Sequence, residues 1–279
     1  MSNLALRALS ALVLLPVVGA LILWQQPLGF GALVLLVSGL ALHECAAIML
    51  AGAPPKFRGA VVALGVAFTA ALYLAPGYGL VATLGALIAT TALTLLDPGE
   101  IPAAGARLGA ATFSVLYVGG LAAPLALLQR DAAHGRAWVL LAIGVTFGND
   151  TGAYFGGRGF GRHKLYPKVS PAKTVEGAVG GLVASLLIMF VVRATAAPWL
   201  TVGDCLAVGL PAAVLGPIGD LVESLMKRAA GVKDSGHLIP GHGGVMDRLD
   251  GFLVAALAAV LIGILRQGVA APARGLLAW

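Results

Sequence analysis

Apolar residues in this chain neither alternate with polar ones nor keep to one helical face. They form continuous runs at 4–24, 28–50, 60–75, 78–96, 108–128, 137–155, 175–192, 202–226 and 252–265. A helix that crosses a bilayer needs about 20 mostly apolar residues, so the pattern predicts about nine transmembrane helices. An outer-membrane barrel would show short alternating segments instead. Turn residues separate several runs, among them Pro76-Gly77 and Asp97-Pro98-Gly99-Glu100. The first run is longer than the roughly 7–15 residues of a signal-peptide core, and no small-x-small site follows it. It reads as an uncleaved first span.

The fold class expected is therefore an all-α, polytopic integral membrane protein forming one membrane domain over 1–279. An N-terminal helical scaffold would occupy 1–128, and catalytic helices 137–265, with polar loops at 156–174 and 227–251. With nine spans, the N-terminus shares a side with the even-numbered loops. That arrangement leaves only Arg130, Arg136, Arg193, Arg266 and Arg274 of the 18 Lys and Arg on the other side. The positive-inside rule then predicts a cytoplasmic N-terminus, with both polar loops at the cytoplasmic face of the cell (inner) membrane. Much of that asymmetry lies in the two loops themselves.

Composition agrees. The chain of 279 residues is 59% hydrophobic and 11% charged, against about 25% charged in a soluble domain. Its 39 glycines suit close helix packing in lipid. The net charge of +6 reads as membrane-surface loops and a polyanion site, not as nucleic-acid binding. Cys45 and Cys205 lie in or beside apolar runs without metal or disulfide spacing, and read as buried thiols.

Charge concentrates in two places. The first is 149–177, NDTGAYFGGRGFGRHKLYPKVSPAKTVEG. Gly156, Gly157, Gly159 and Gly161 suggest a flexible loop whose N–H groups face an anion, although the spacing fits neither a Walker loop nor a dinucleotide fingerprint. Ser170-Pro171 reads as a helix start, with Ser170 as N-cap. A helix N-terminus beside Lys168 and Lys173 would suit a phosphate. The sequence from Ser170 to Lys173 also fits the Ser-x-x-Lys pattern of penicillin-binding enzymes. That reading fails for want of their further motifs.

The second place is 220–250. Asp220, Glu223, Ser224 and Lys227 are spaced to form one polar stripe on a helix. Lys233-Asp234, the glycine-flanked His242 and Asp247-Arg248-Leu249-Asp250 follow. Several carboxylates with no soft ligands nearby suit Mg²⁺, which takes oxygen ligands and often binds through one or two carboxylates plus substrate phosphates. Cations beside acidic metal ligands are the arrangement expected for phosphoryl or nucleotidyl transfer. His242 reads as part of a turn more than as an acid or base. His43 and Glu44 form an ionisable pair inside the second span. Such a pair is a functional candidate or, equally, a helix–helix hydrogen bond, and Glu44 is kept as a residue that supports the site from behind.

The second segment also carries a resemblance. Ser224-x-x-Lys227-Arg228, Lys233-Asp234-x-Gly236 and Pro240-Gly241-His242-Gly243-Gly244-x-x-Asp247-Arg248-x-Asp250 resemble the signature of the phosphatidate cytidylyltransferases. Asn149-Asp150-Thr151-Gly152-Ala153-Tyr154 and Lys168-Val169-Ser170-Pro171-x-Lys173-Thr174-x-Glu176-Gly177 look like the same family's upstream motif. The likeness is strong over 149–251 and mainly one of hydropathy before that. Gly251 departs from the serine often found there.

The resemblance implies that CTP and phosphatidate react to give CDP-diacylglycerol and pyrophosphate, with Mg²⁺, in phospholipid biosynthesis. It implies a metal centre at Asp220 and Asp247, a second, monovalent ion such as K⁺, and a homodimer in membrane lipid. Asp220, Lys227, Asp247, Arg248 and Asp250 would carry catalysis. Asp150, Ser170, Lys173, Lys227, Arg228, Lys233, Asp234, His242 and Arg248 would hold substrate. The alternatives are a prenyl-ether lipid cytidylyltransferase, a CTP-dependent lipid kinase, or a cation transporter using Asp220 and Glu44. A transporter is disfavoured because no inverted repeat is visible.

Overall fold

The structure, a computed structural model, describes residues 3–132, 134–238 and 243–266. It is helical apart from one small hairpin. The helices are α1 (Asn3–Leu23), α2 (Pro27–Met49), α3 (Pro55–Leu74), α4 (Gly79–Leu96), α5 (Ile101–Ser114), α6 (Gly120–Asp131), α7 (Gly135–Phe160), α8 (Val175–Thr195), α9 (Val202–Ala229) and α10 (Met246–Arg266). A π-helical turn, Val115–Gly119, joins α5 to α6 without a break, so the two form one long rod. Each of the nine apolar runs lies on a helix and overruns its end by at most one residue, the fifth lying on the continuous α5–α6 rod. Among the described residues, six segments are long and apolar enough to cross a membrane: Pro27–Met49, Pro55–Leu74, Pro76–Leu96, Ile101–Asp131, Val175–Thr195 and Val202–Ala229. The protein is an all-α, multi-pass membrane protein.

Helix α8 shows why these residues suit lipid. Val175, Val179, Val183, Leu187 and Val191 stand exposed along one face at four-residue spacing. Gly177, Gly181, Ser185 and Met189, at the same spacing, are buried on the other. Large apolar side chains face outward and mostly small ones inward, the reverse of a soluble helix. In lipid the gain comes from close packing and not from hiding apolar surface from water.

The partner face is on α7, which packs more extensively on α8 than any other pair of elements. Gly148, Gly152 and Gly156 repeat every fourth residue there. A Cβ built on Gly152 would lie 2.5 Å from both the Ala184 methyl and the Gly180 carbonyl oxygen. One on Gly180 would lie 2.5 Å from the Gly152 oxygen. Backbone therefore rests on backbone at Gly152, Gly156 and Gly180, while Gly148 makes room for the Ile188 side chain.

Helix α9 carries Pro217 in its interior. Proline has no N–H, so the carbonyl four residues back, that of Ala213, loses its helical partner. Asn149 of α7 supplies the missing donor: its Nδ2 reaches Ala213 O at 3.4 Å and Ser185 Oγ of α8 at 3.2 Å. One buried amide thus ties three helices together at the level of the charged segments.

Two expectations are corrected between α7 and α8. Gly156, Gly157 and Gly159 lie within α7 and not in a loop, because Gly156 and Gly157 pack against Glu176, Gly177 and Thr174. Ser170 does not start a helix. Strands β1 (Lys164–Tyr166) and β2 (Ser170–Thr174) pair antiparallel, with Lys164 opposite Thr174 and Tyr166 opposite Ser170. The helix begins at Val175, and Thr174 is its N-cap, accepting from Gly177 N at 3.1 Å. Val175 N is taken by His163 O at 2.9 Å, and Glu176 accepts the N–H groups of Arg162 and His163. That helix end already has its partners and carries its own carboxylate, so it does not offer the phosphate cradle expected at Ser170. Cys45 and Cys205 are buried free thiols, as expected.

Replacing Asn149 by Leu leaves Ala213 O without a donor and should cost about 1–3 kcal/mol, the penalty for a buried unsatisfied polar group. The loss should shrink in a Pro217→Ala background, where residue 217 regains an N–H for Ala213 O. Thermal unfolding of the four proteins in detergent reads the cycle. Equal losses in both backgrounds would break the link between Asn149 and Pro217.

Candidate active site

Two lysine–carboxylate pairs organise the polar end of α7, α8, α9 and α10. In the first, Lys227 from the last turn of α9 donates to Asp247 Oδ1 at 2.6 Å. Both side chains are largely buried, at 12% and 9% exposed. Asp247 sits in the first turn of α10, and its second oxygen, Oδ2, accepts the N–H groups of Gly244 at 2.9 Å and Ser235 at 3.0 Å. Its own N–H donates to Ser235 Oγ at 3.2 Å. Burial alone would push the Asp247 carboxyl up. Lys227 and the N–H groups of Gly244 and Ser235 outweigh it and hold the group down at about 2. Asp247 is therefore ionised throughout the neutral range.

In the second pair, Lys173 of β2 meets Asp220 of α9. Lys173 Nζ also reaches the carbonyl of Pro217 at 3.5 Å, and Ser224 Oγ lies 3.4 Å from Asp220 Oδ1. The hairpin is thereby laid across α9. Glu176 secures it from the other end through His163, whose Nδ1 is 2.6 Å from Glu176 Oε1. A cleft of about 560 Å³ opens beside this pair, lined among others by Asp150, Tyr154, Arg158, Lys173, Pro217 and Asp220. Arg158 donates to Tyr154 Oη at 2.8 Å. Asp150 lies on the exposed side of α7, within electrostatic reach of Asp220, Asp250, Lys173 and Arg248.

The stripe expected on α9 is present, though its members differ in exposure. Asp220 is 41% exposed and Glu223 fully buried. Glu223 Oε1 is 3.4 Å from Lys227 Nζ, and the carboxyl lies against Asp250 without a hydrogen bond of normal geometry. Asp250 accepts from Gly251 N at 2.7 Å and belongs to this buried acidic group, one helical turn below Asp247.

The other expected residues lie outward. Arg228 is exposed and donates to Val232 O at 3.3 Å, and Lys233, Asp234 and Arg248 are exposed on the same surface. Ser170 is half-buried at the start of β2. His242 falls outside the described residues. Among the described residues, no three His, Cys, Asp or Glu side chains converge as a metal-binding group. Asp220 and Asp247 are each engaged by a lysine.

Two residues matter more than the sequence reading allowed. Ser235 occupies the variable position of Lys233-Asp234-x-Gly236, yet it hydrogen-bonds Asp247 twice. Glu44 of α2 is buried and accepts from Ser235 Oγ at 3.0 Å, Val245 N at 3.1 Å and Met246 N at 2.8 Å. The only signal in the sequence was an acidic residue inside an apolar run.

Among known proteins, the family model described as "Cytidylyltransferase family" matches residues 5–265. A protein of Staphylococcus saprophyticus named phosphatidate cytidylyltransferase is 44% identical over 144 residues, covering 50% of this chain and 53% of that protein. One of the same name from Bacillus subtilis is 38% identical over 147 residues, covering 53% and 55%. A third, from Staphylococcus aureus, is 41% identical over 144 residues, covering 50% and 53%. The chain thus aligns with about half the length of the curated relatives it matches. With a match from residue 5 to residue 265, the chain belongs to the cytidylyltransferase family.

Proposed function

We propose that the protein joins CTP and phosphatidate to form CDP-diacylglycerol and pyrophosphate. The observation that carries this reading is the Lys173–Asp220 bridge lining a cleft, with the buried Lys227–Asp247 bridge at the end of the same helix α9, in a chain of this family. Relatives named phosphatidate cytidylyltransferase support the choice of substrates.

The chemistry follows from the charges. A phosphatidate phosphate oxygen attacks the α-phosphorus of CTP. A new P–O bond forms, the bond to the β-phosphate bridging oxygen breaks, and pyrophosphate leaves with the electron pair. The nucleophile is already an anion, so no strong base is required. The difficulty is bringing two polyanions together. Lys173 supplies positive charge in the cleft and Lys227 further along α9, and the exposed Arg228, Lys233 and Arg248 add to it. On binding, phosphate oxygens compete with Asp220 and Asp247 for the two lysines. Asp150, Asp234 and Asp250 orient these cations, and His242 and Ser170 complete the substrate surface in this proposal.

The available donors fit Mg²⁺ in kind. They are carboxylate oxygens only, and the buried Glu223 carboxyl, beside Asp250, has no hydrogen-bond donor on either oxygen. Asp220 and Asp247 would hold the ion. Mg²⁺ when bound neutralises charge on the phosphate oxygens and the departing pyrophosphate. We extend the proposal to a second, monovalent ion such as K⁺, to a homodimer, and to nine spans with a cytoplasmic N-terminus. That orientation sets the lysine pairs at the cytoplasmic face of the inner membrane, where CTP is available, with the lipid arriving sideways from the bilayer.

Purified protein given labelled CTP, phosphatidate and Mg²⁺ should release pyrophosphate and CDP-diacylglycerol in equal amounts, and EDTA should stop both. Release of CDP with a phosphorylated lipid would assign γ-phosphoryl transfer instead. Asp247→Asn should lower turnover by about 100-fold or more, the scale of losing a group that stabilises the transition state. The variant should still insert and purify. Turnover close to that of the parent would remove Asp247 from the reaction centre.

A further inference from the structure

Glu44 belongs to α2, far in sequence from every motif that carries the chemistry. It is 5% exposed, and its carboxylate is filled by three donors from the signature segment. Two of them, Val245 N and Met246 N, are at the start of α10. The first N–H groups of a helix have no intrahelical acceptor, and a carboxylate satisfies both their hydrogen bonding and the positive end of the helix dipole. Glu44 therefore acts as an N-terminal cap delivered from another helix.

The fit explains two signature glycines. A Cβ on Gly236 or on Gly244 would lie 2.8 Å from Glu44 Cδ and closer still to a carboxylate oxygen. Any larger residue at either position would displace the acid. The third donor, Ser235 Oγ, links Glu44 to the site. Ser235 gives its hydroxyl proton to Glu44 Oε2, receives the N–H of Asp247, and directs its own N–H to Asp247 Oδ2. Asp247 Oδ1 is left to Lys227.

We propose that Glu44 is a positioning residue for the reaction. Through Ser235 and the first turn of α10 it fixes the orientation of Asp247, and so divides that carboxylate between backbone donors on one oxygen and Lys227 or a metal ion on the other. The inference rests on the proposed cytidylyl transfer for its kinetic consequences, though not for the geometry. A negative charge suits this place because the three groups hydrogen-bonded to it are all donors. Glutamine would turn an NH₂ toward at least one of those donors and lose its bond. Outer hydrogen-bond partners of metal ligands typically contribute 10–100-fold to metal affinity or activity.

The test compares the parent, Glu44→Gln, Ser235→Ala and the double variant, all full-length in detergent or nanodiscs. Glu44→Gln should lower kcat by roughly 10–100-fold and raise the Mg²⁺ concentration for half-activation by about tenfold. KM for CTP should change little. Ser235→Ala should move the same two quantities, and the double variant should fall no lower than the worse single, because both residues act along one chain. Amide exchange, read without substrate or metal, should quicken in peptides containing residues 245–247 while α7 and α8 keep the parent's protection. Parental kcat and Mg²⁺ dependence in Glu44→Gln would overturn the proposal, and so would fully additive losses. Exchange that quickens throughout the bundle, with parental kcat per folded molecule, would reduce Glu44 to a structural staple and overturn it too. If the parent makes no CDP-diacylglycerol, the reaction assignment fails, while the exchange data still report on the anchor.

Discussion

An ionised carboxylate inside a bundle of apolar helices is tolerated only when donors surround it. That constraint shapes this protein from α2 to α10. Asp247 collects an ammonium and two N–H groups, Glu44 collects three donors, and Asp220 has a lysine and a serine. The two lysine bridges and the bonds of Glu44 each join different elements. Charge compensation and tertiary structure are here the same thing: to remove a donor is to loosen a helix contact. Glu223, with no hydrogen bond of normal geometry, is the exception, and it lies against Asp250 and Lys227 where the site is most acidic.

The helices were legible in the sequence because membrane helices are written locally. Each apolar run lies on a helix, and the spacing of Asp220, Glu223, Ser224 and Lys227 placed all four on one stripe before any packing was known. What escaped was set by contacts across the chain. Gly156 and Gly157 look like loop residues in isolation, yet they are the two small residues that let α7 run alongside Glu176 and Gly177. Ser170-Pro171 has the chemistry of a helix start, but pairing with Lys164–Tyr166 claims its backbone first. Asn149 reads as a motif residue, and its role as donor to a carbonyl orphaned by Pro217 appears only once α7 and α9 meet.

The candidate site was legible in the same uneven way. Its cations and carboxylates were visible because charge is rare in this chain. Their pairing was not, since Lys173 with Asp220 and Lys227 with Asp247 each cross between elements. Ser235 was hidden and Glu44 was visible without its role, for opposite reasons. A serine in a polar loop attracts no notice, and a lone acid in an apolar helix has several ordinary explanations. Detailed likeness to the curated relatives covers about half the chain, whereas the family match runs nearly throughout. Glu44 shows how an N-terminal helix can belong to the site while lying outside its motifs.

The glycine seam between α7 and α8 has a further consequence, for how this protein can change over generations. Where side chains interdigitate, a neighbour can grow as another shrinks, and the interface drifts. At Gly152, Gly156 and Gly180 main chain meets main chain, so there is nothing to trade. Deleting one residue between Gly148 and Gly152 would turn the rest of α7 by about 100° and bring Ala153 into the place of Gly152, where a Cβ would lie 2.5 Å from the Gly180 carbonyl oxygen. The outer edge of the hairpin, exposed over 164–168, has by contrast room to lengthen or shorten. Variation in chain length is thus channelled into the hairpin, next to the cleft, while the helices that carry it stay in step.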